Sequence, residues 1–224
     1  MEEHELDATE RRERPDGDAE VATARPLDGD RTPAPAPGSE ARLGRALDGA
    51  RAGDEAAFAV LWRVLHPPLL RYLAIRCPDG REDVASETWL QVVRDLPGFG
   101  GDIDDFRGWL FTIARHRAID HGRARSRRPT LLVAAPAEHT PTPVARSAEE
   151  DAASRHATDD AVRLVASLPA EQAEMVMLRV VAGLDVTVVA RLVGKKPGTV
   201  RVAVHRALQK LARDPRAHAL GKVV

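Results

Sequence analysis

Between residues 43 and 65 apolar side chains recur at helical spacing, Leu43 and Leu47 first, then Phe58, Leu61, Trp62 and Leu65. That spacing predicts two helices, with Gly53 and Asp54 punctuating the join. Pro67 and Pro68 follow, and their missing N–H groups predict that the second helix bends or restarts there. Over residues 81–96, at 100° per residue, Ala85, Trp89, Val92 and Leu96 share one face while Asp83, Glu87 and Arg94 share the opposite one. One side of this helix packs and the other is displayed. LPGFGGDIDD then reads as a Gly-rich loop. After it, Phe106, Trp109, Leu110 and Ile113 form the apolar stripe of a helix whose far end is almost pure arginine.

Further along, Thr158 can cap a helix whose first turn carries Asp159 and Asp160, favourable beside the positive end of the helix dipole. Pro169 can start the next helix and Gly183 can end it. VTVVARLV, then GKK, then PGTVRVAVHRALQKLAR gives a short helix, a glycine-bearing turn and a longer basic helix, which is the helix-turn-helix layout. Periodicity puts Val200, Val204, Ala207, Leu208 and Leu211 on the inward side of the longer helix. Thr199, Arg201, Val202, His205 and Arg206 fall on its outward side.

Two stretches break this pattern. Residues 1–40 carry twelve acids against five arginines and end in RTPAPAPGSE, a composition with too little apolar surface to offset ordering entropy, so an acidic disordered tail is expected. Residues 129–157 are rich in proline and small residues and read as a flexible linker. The expected organisation is therefore a helical domain over 41–128, the linker, a helix-turn-helix domain over 158–214, and a short tail over 215–224. Composition agrees with two small all-α domains: with four phenylalanines, three tryptophans and one tyrosine in 224 residues, most apolar side chains are Ala, Leu and Val.

Net charge is only -1, but it is unevenly distributed. From Arg115 to Arg128 there are six arginines against the single Asp120, and from Lys195 to Arg216 seven basic residues against Asp214. A basic helix of the second kind fits a major groove about 12 Å wide, where arginine donates to guanine and lysines meet phosphates. The arginine block suits a phosphate backbone, and Trp109 and Phe111 beside it could support unstacked bases if exposed. The plain alternatives are a solvated amphipathic helix for residues 195–216 and a solubilising helix end for residues 115–128.

Cys77 is the single cysteine, which excludes an internal disulfide and fits a reducing cytoplasm. It reads as a small core residue. His116, Asp120 and His121 are too few to make a metal site. With no phosphate loop, dinucleotide fingerprint or catalytic triad spacing, no enzyme and no cofactor are expected. No apolar run reaches the roughly 20 residues that span a bilayer, so no membrane partner is expected.

REDVASETWLQVV resembles the region 2.2 signature of sigma factors, and FRGWLFTIARHRAIDHGR is similar to the region 2.3–2.4 helix of the extracytoplasmic-function (ECF) group. LPAEQAEMVMLRVVAGLDVTVVARLVGKKPGTVRVAVHRALQKL resembles their region 4. The likeness covers residues 43–128 and 158–213 in the family's order. It implies a subunit that directs RNA polymerase to promoters. Glu82, Asp83, Glu87 and Arg94 would face the clamp coiled coil of the largest polymerase subunit, and region 4 would meet the flap.

The same likeness gives the melted minus-10 element to Phe99, Asp102, Trp109, Arg115, His116, Arg117, Ile119, Arg123, Arg125, Arg127 and Arg128. It gives the minus-35 duplex to Lys195, Lys196, Thr199, Arg201, Val202, His205 and Arg206. An anti-sigma factor is implied as a further partner. With a spacer of some 17 base pairs, the two elements lie about 58 Å apart at 3.4 Å per pair. A linker near 29 residues can stretch to roughly 95 Å. The chain departs from the common family pattern at Val202 and Ala203, where Ser-Arg is usual, and at Val188, where Glu is usual. His116 stands for asparagine, Gly122 for a large apolar residue and Ser86 for glutamine. A stand-alone helix-turn-helix regulator is one rival reading, and a pure interaction module with a degenerate region 4 is another, against which the arginines from Arg123 to Arg128 argue.

Overall fold

A computed structural model describes residues 38–127 and 158–220, and all regular structure among them is helical. Residues 1–37 of the expected 1–40 tail, the linker, Arg128 and residues 221–224 lie outside the described residues, while Ser39 and Glu40, placed in the tail by the sequence reading, already belong to the first helix. α1 (Ser39–Arg51) and α2 (Glu55–Arg76) meet at the expected Gly53–Asp54 punctuation. Asp54 caps α2, its Oδ1 accepting from the backbone N–H of Ala56 at 2.8 Å and of Ala57 at 3.2 Å. α2 runs unbroken through Pro67 and Pro68, where the sequence suggested a bend or restart. The carbonyls of Arg63 and Val64 lose their partners to the two prolines. Both residues are exposed, so water can reach the freed oxygens.

α3 (Arg81–Asp95) buries Val84, Ala85, Thr88, Trp89 and Val92 against α2 and α4 (Ile103–Arg127). Trp89 fixes this packing: its indole N–H donates to His66 Nδ1 at 3.1 Å, and its ring meets Phe58 edge-on at 5.7 Å. A bond received at Nδ1 requires that nitrogen to be unprotonated, and burial lowers the His66 pKa below its usual value, partly opposed by Glu82. Asp102 starts α4 by accepting from the N–H groups of Asp104 and Asp105, both at 2.9 Å, while Asp105 Oδ2 accepts from Asp102 N–H at 3.3 Å. This is a reciprocal cap built from two aspartates.

Beyond the linker, residues 158–166 form α5, with Thr158 already helical instead of the capping residue expected. α6 (Ala170–Val176) follows Pro169 and continues through a π-helical turn, Met177–Val181, before Gly183 leaves the helix at φ +70°. The buried Arg179 ties that turn down by donating to the Leu184 carbonyl at 3.1 Å. α7 (Val186–Val193) and α8 (Pro197–Ala212) make the helix-turn-helix, and α9 (Pro215–Leu220) adds one short helix. Gly194 ends α7 at φ +68°, a left-handed conformation that a Cβ would strain, which sets the turn between the two helices.

One continuous apolar core joins the two halves. Leu61, Leu65, Leu69, Tyr72 and Leu73 of α2 belong to the same cluster as Met175, Met177, Leu178, Leu184 and Val189.

Candidate nucleic-acid interface

α8 carries its chemistry where its periodicity put it. Val200, Val204 and Ala207 are buried against α6 and α7, so the helix is held rigidly by its inner face. Thr199, Arg201, Val202, His205 and Arg206 are exposed on the outer face, with Lys195 and Lys196 exposed in the turn before it. Lys195 Nζ lies 2.8 Å from a Glu171 carboxylate oxygen, and His205 shares a hydrogen bond with Gln209 at 2.9 Å. The outer face thus presents cations and a hydroxyl on a helix that can enter a major groove.

The second basic face lies along α4. His116, Arg123, Arg125 and Arg127 are exposed, while Arg115, Arg117 and Ile119 are half-buried. Arg117 donates from Nε and a terminal nitrogen to Gln91 Oε1, at 3.3 and 3.0 Å, and reaches Glu87 at 3.6 Å. Arg125 pairs with Asp79 at 2.9 Å and Arg123 with Asp120 at 3.5 Å. These pairs are solvent-exposed, so exchanging them for phosphates costs little.

The aromatic pair at the start of α4 differs from expectation. Phe111 is fully buried and packs edge-on against Tyr72 at 5.5 Å, so it supports no base. It lies off the stripe of Phe106, Leu110 and Ile113 and is buried because α4 is covered on a second side. Trp109 is half-buried and stacks on Phe99 at 4.9 Å, and the Arg51 guanidinium covers Phe99 at 5.2 Å from the ring centre. Arg51 also donates to the Gly101 carbonyl, which fixes the Gly-rich loop. Asp102 is exposed, with Oδ1 committed to the α4 cap.

On α3, Glu82, Asp83, Glu87 and Arg94 are all exposed, the Arg94 guanidinium doubly bonded to Asp95 at 2.8 and 3.1 Å. This bond lowers the Asp95 pKa below the usual carboxylate value. The displayed face also carries Leu90 and Val93, 71% and 53% exposed, which the sequence reading missed. Charged residues around an uncovered apolar pair are the composition of a protein-docking surface.

Sequence reasoning missed a further group as well. Glu174, from α6, is buried, and its Oε1 accepts from the Tyr72 hydroxyl at 3.0 Å and from Arg115 Nε at 2.9 Å, with Arg76 Nε 3.5 Å away. Burial and the Glu174 carboxylate together push the Tyr72 pKa far above its ordinary value. The available signal was one acid inside the buried run AEMVML.

Among the described residues no group of His, Cys, Asp and Glu could hold a metal ion, and no helix is long and apolar enough to cross a membrane. Cys77 is free and buried at the end of α2, its pKa raised by burial.

A helix-turn-helix joined to a second helical module with an arginine-lined helix defines a DNA-binding transcription protein. Residues 61–128 match the family described as sigma-70 region 2, and residues 159–211 match sigma-70 region 4. The ECF RNA polymerase sigma factor ShbA of Streptomyces griseus is 34% identical over 178 residues, covering 75% of this chain and 93% of that protein. The ECF sigma factor SigD of Mycobacterium tuberculosis is also 34% identical over 178 residues, covering 76% and 82%. The solved structure of CnrH in complex with the cytosolic domain of CnrY shares the fold, at TM-score 0.50 and 19% identity over 76% of this chain and 95% of that one. The chain belongs to the ECF RNA polymerase sigma factors of the sigma-70 family, its first domain being region 2 and its second region 4. Two collinear family matches do not favour the stand-alone regulator.

Proposed function

We propose that this sigma factor divides promoter recognition between α4 and α8 and docks on core polymerase through the α3 face. The observation that carries the reading is that both basic faces and the α3 face are displayed on helices whose opposite sides are buried in one core. Glu82, Asp83, Glu87 and Arg94, with Leu90 and Val93 among them, meet the clamp coiled coil. Exposed charges there set orientation and approach, and the apolar pair gives the contact its buried centre.

The arginines of α4 hold the phosphates of the opened minus-10 strand, and the Phe99–Trp109 stack offers a surface for an extruded base. Binding energy to the single strand then offsets unpairing. α8 enters the major groove of the minus-35 duplex, with Arg201 and Arg206 toward bases and Lys195 and Lys196 toward phosphates. No bond-making chemistry is assigned to this chain; it positions the polymerase. An anti-sigma factor that covers these surfaces keeps it silent.

Core polymerase reconstituted with the chain tests this through permanganate reactivity of thymines on a promoter library. Expected is opened DNA that is lost with Arg123→Ala and Arg127→Ala together. Opening that survives this double change would remove α4 from strand capture.

A further inference from the structure

On α8, Val202 is the large apolar side chain left exposed, at 50%, whereas Leu208 and Leu211 are half-buried. A single exposed valine is ordinary on a protein surface, but the place of this one on the helix is specific. Val200, Val204 and Ala207 face the core. Two steps of about 100° from Val200 carry Val202 to within about 20° of the opposite direction, which is the centre line of the outward face. Thr199 and Arg206 flank it on one side and His205 on the other, all exposed. One turn earlier Gly198 lies on the same line, exposed, with nothing within 4 Å of where a Cβ would stand. The middle of the outward face is therefore low and uncharged over its first turns, with a hydroxyl, an imidazole and a guanidinium around it.

The fold of α8 gives no reason for valine at this position. A β-branched residue is a poorer helix former than alanine, lysine or arginine on an exposed face. What valine supplies is a stiff apolar knob. In a helix its χ1 is held in one rotamer, so pressing it against a partner costs little further entropy. In a major groove the apolar group on a base edge is the thymine C5-methyl, while guanine, adenine and cytosine present donors and acceptors. Valine against those polar edges removes their water and returns no hydrogen bond. The side chain thus favours one base and penalises the others.

From this we propose that Val202 is a specificity-determining residue, reading the 5-methyl group of one thymine in the minus-35 duplex. The inference rests on the assignment of α8 to that duplex made above. The cations around Val202 hold the DNA, and Val202 sets which base pair is accepted at the centre of the contact.

The test changes the DNA by one methyl group at a time. Core polymerase reconstituted with the full chain selects a duplex from a library randomised across the upstream element. Uracil then replaces each thymine of that element singly, on either strand; it keeps the pairing and every polar edge group and lacks only the methyl. Binding is measured by competition at fixed salt, at a temperature low enough to keep the strands paired. Uracil at one position should weaken binding about fourfold, the contribution of one buried methyl group at about 0.8 kcal/mol. Val202→Ala should bind the thymine duplex more weakly by a similar factor, and uracil at that position should then change nothing further. Val202→Ile, which keeps the branched knob, should restore the sensitivity. Val202 is exposed, so these variants leave the core untouched.

A selected element with no thymine on either strand, or a scan in which no uracil matters, would overturn the proposal. So would an equal uracil effect in the parent and in Val202→Ala. A loss in Val202→Ala that is the same for thymine and uracil duplexes would overturn it too, being the outcome of a contact with protein. Arg201→Ala with Arg206→Ala is scored separately on the same duplex. If that pair of changes weakens binding while the uracil scan is flat, the methyl reading fails and the minus-35 assignment stands. If no upstream element is selected and those arginines are dispensable, the minus-35 assignment fails and the methyl reading with it.

Discussion

Trp89→Phe is a sensitive probe of how the α3 face is held in place. The indole N–H donates to His66 Nδ1 at 3.1 Å, and the ring is buried edge-on to Phe58. Phenylalanine keeps the ring contact but removes the donor, which costs about 1 kcal/mol for a part-buried neutral bond. It also leaves a void of about 40 Å³, worth roughly 1 kcal/mol at 24 cal/mol per Å³. The expected loss is thus about 2 kcal/mol. Urea unfolding followed by far-UV circular dichroism measures it as a fall in midpoint with unchanged slope.

The same contact carries a pH signature. His66 has a lowered pKa in the folded protein, chiefly through burial, so the unfolded chain binds more protons as pH falls through the usual histidine value of 6.5. Stability conferred by neutral His66 is therefore present above that value and lost as pH drops below it. In Trp89→Phe the neutral ring no longer receives the indole N–H, so the pH dependence should flatten. A loss below about 0.5 kcal/mol, or an unchanged slope with pH, would refute this account of how α3 is positioned.

Three further outcomes are expected. Asp83→Arg should weaken association with core polymerase, read by fluorescence anisotropy, without moving the urea midpoint, because Asp83 is exposed on α3. Arg201→Ala should lower minus-35 duplex affinity by about 1 to 3 kcal/mol if the side chain reads a base, measured by titration at fixed salt against a randomised duplex. Gly194→Ala should cost about 1 kcal/mol of stability by denaturant melt, since φ is +68° there and alanine avoids that region.

Much of this architecture was legible from local pattern. The two faces of α3, the inward and outward sides of α8 and the glycine turn before it all follow from a 3.6-residue period and one left-handed position. What escaped was non-local. α2 persists through two prolines whose orphaned carbonyls belong to the exposed residues Arg63 and Val64, a fact about surroundings and not about the dipeptide. Phe111 lies off the α4 stripe yet is buried, since α4 is covered on more than one side and its periodicity is blurred. Glu174 finds its partners 59 and 102 residues away, at Arg115 and Tyr72, beyond the reach of any spacing rule. The charged groups of the α3 face were readable, whereas its uncovered Leu90 and Val93 were not, because exposure of an apolar residue depends on what fails to pack on it.

Run-off transcription by purified core polymerase on a promoter library, with and without the folded chain, tests the central claim most directly. Transcripts from defined start sites should arise only when the chain is present, from templates sharing one pair of upstream elements at a fixed spacing. An identical transcript pattern with and without the chain would contradict its role as a promoter-directing subunit.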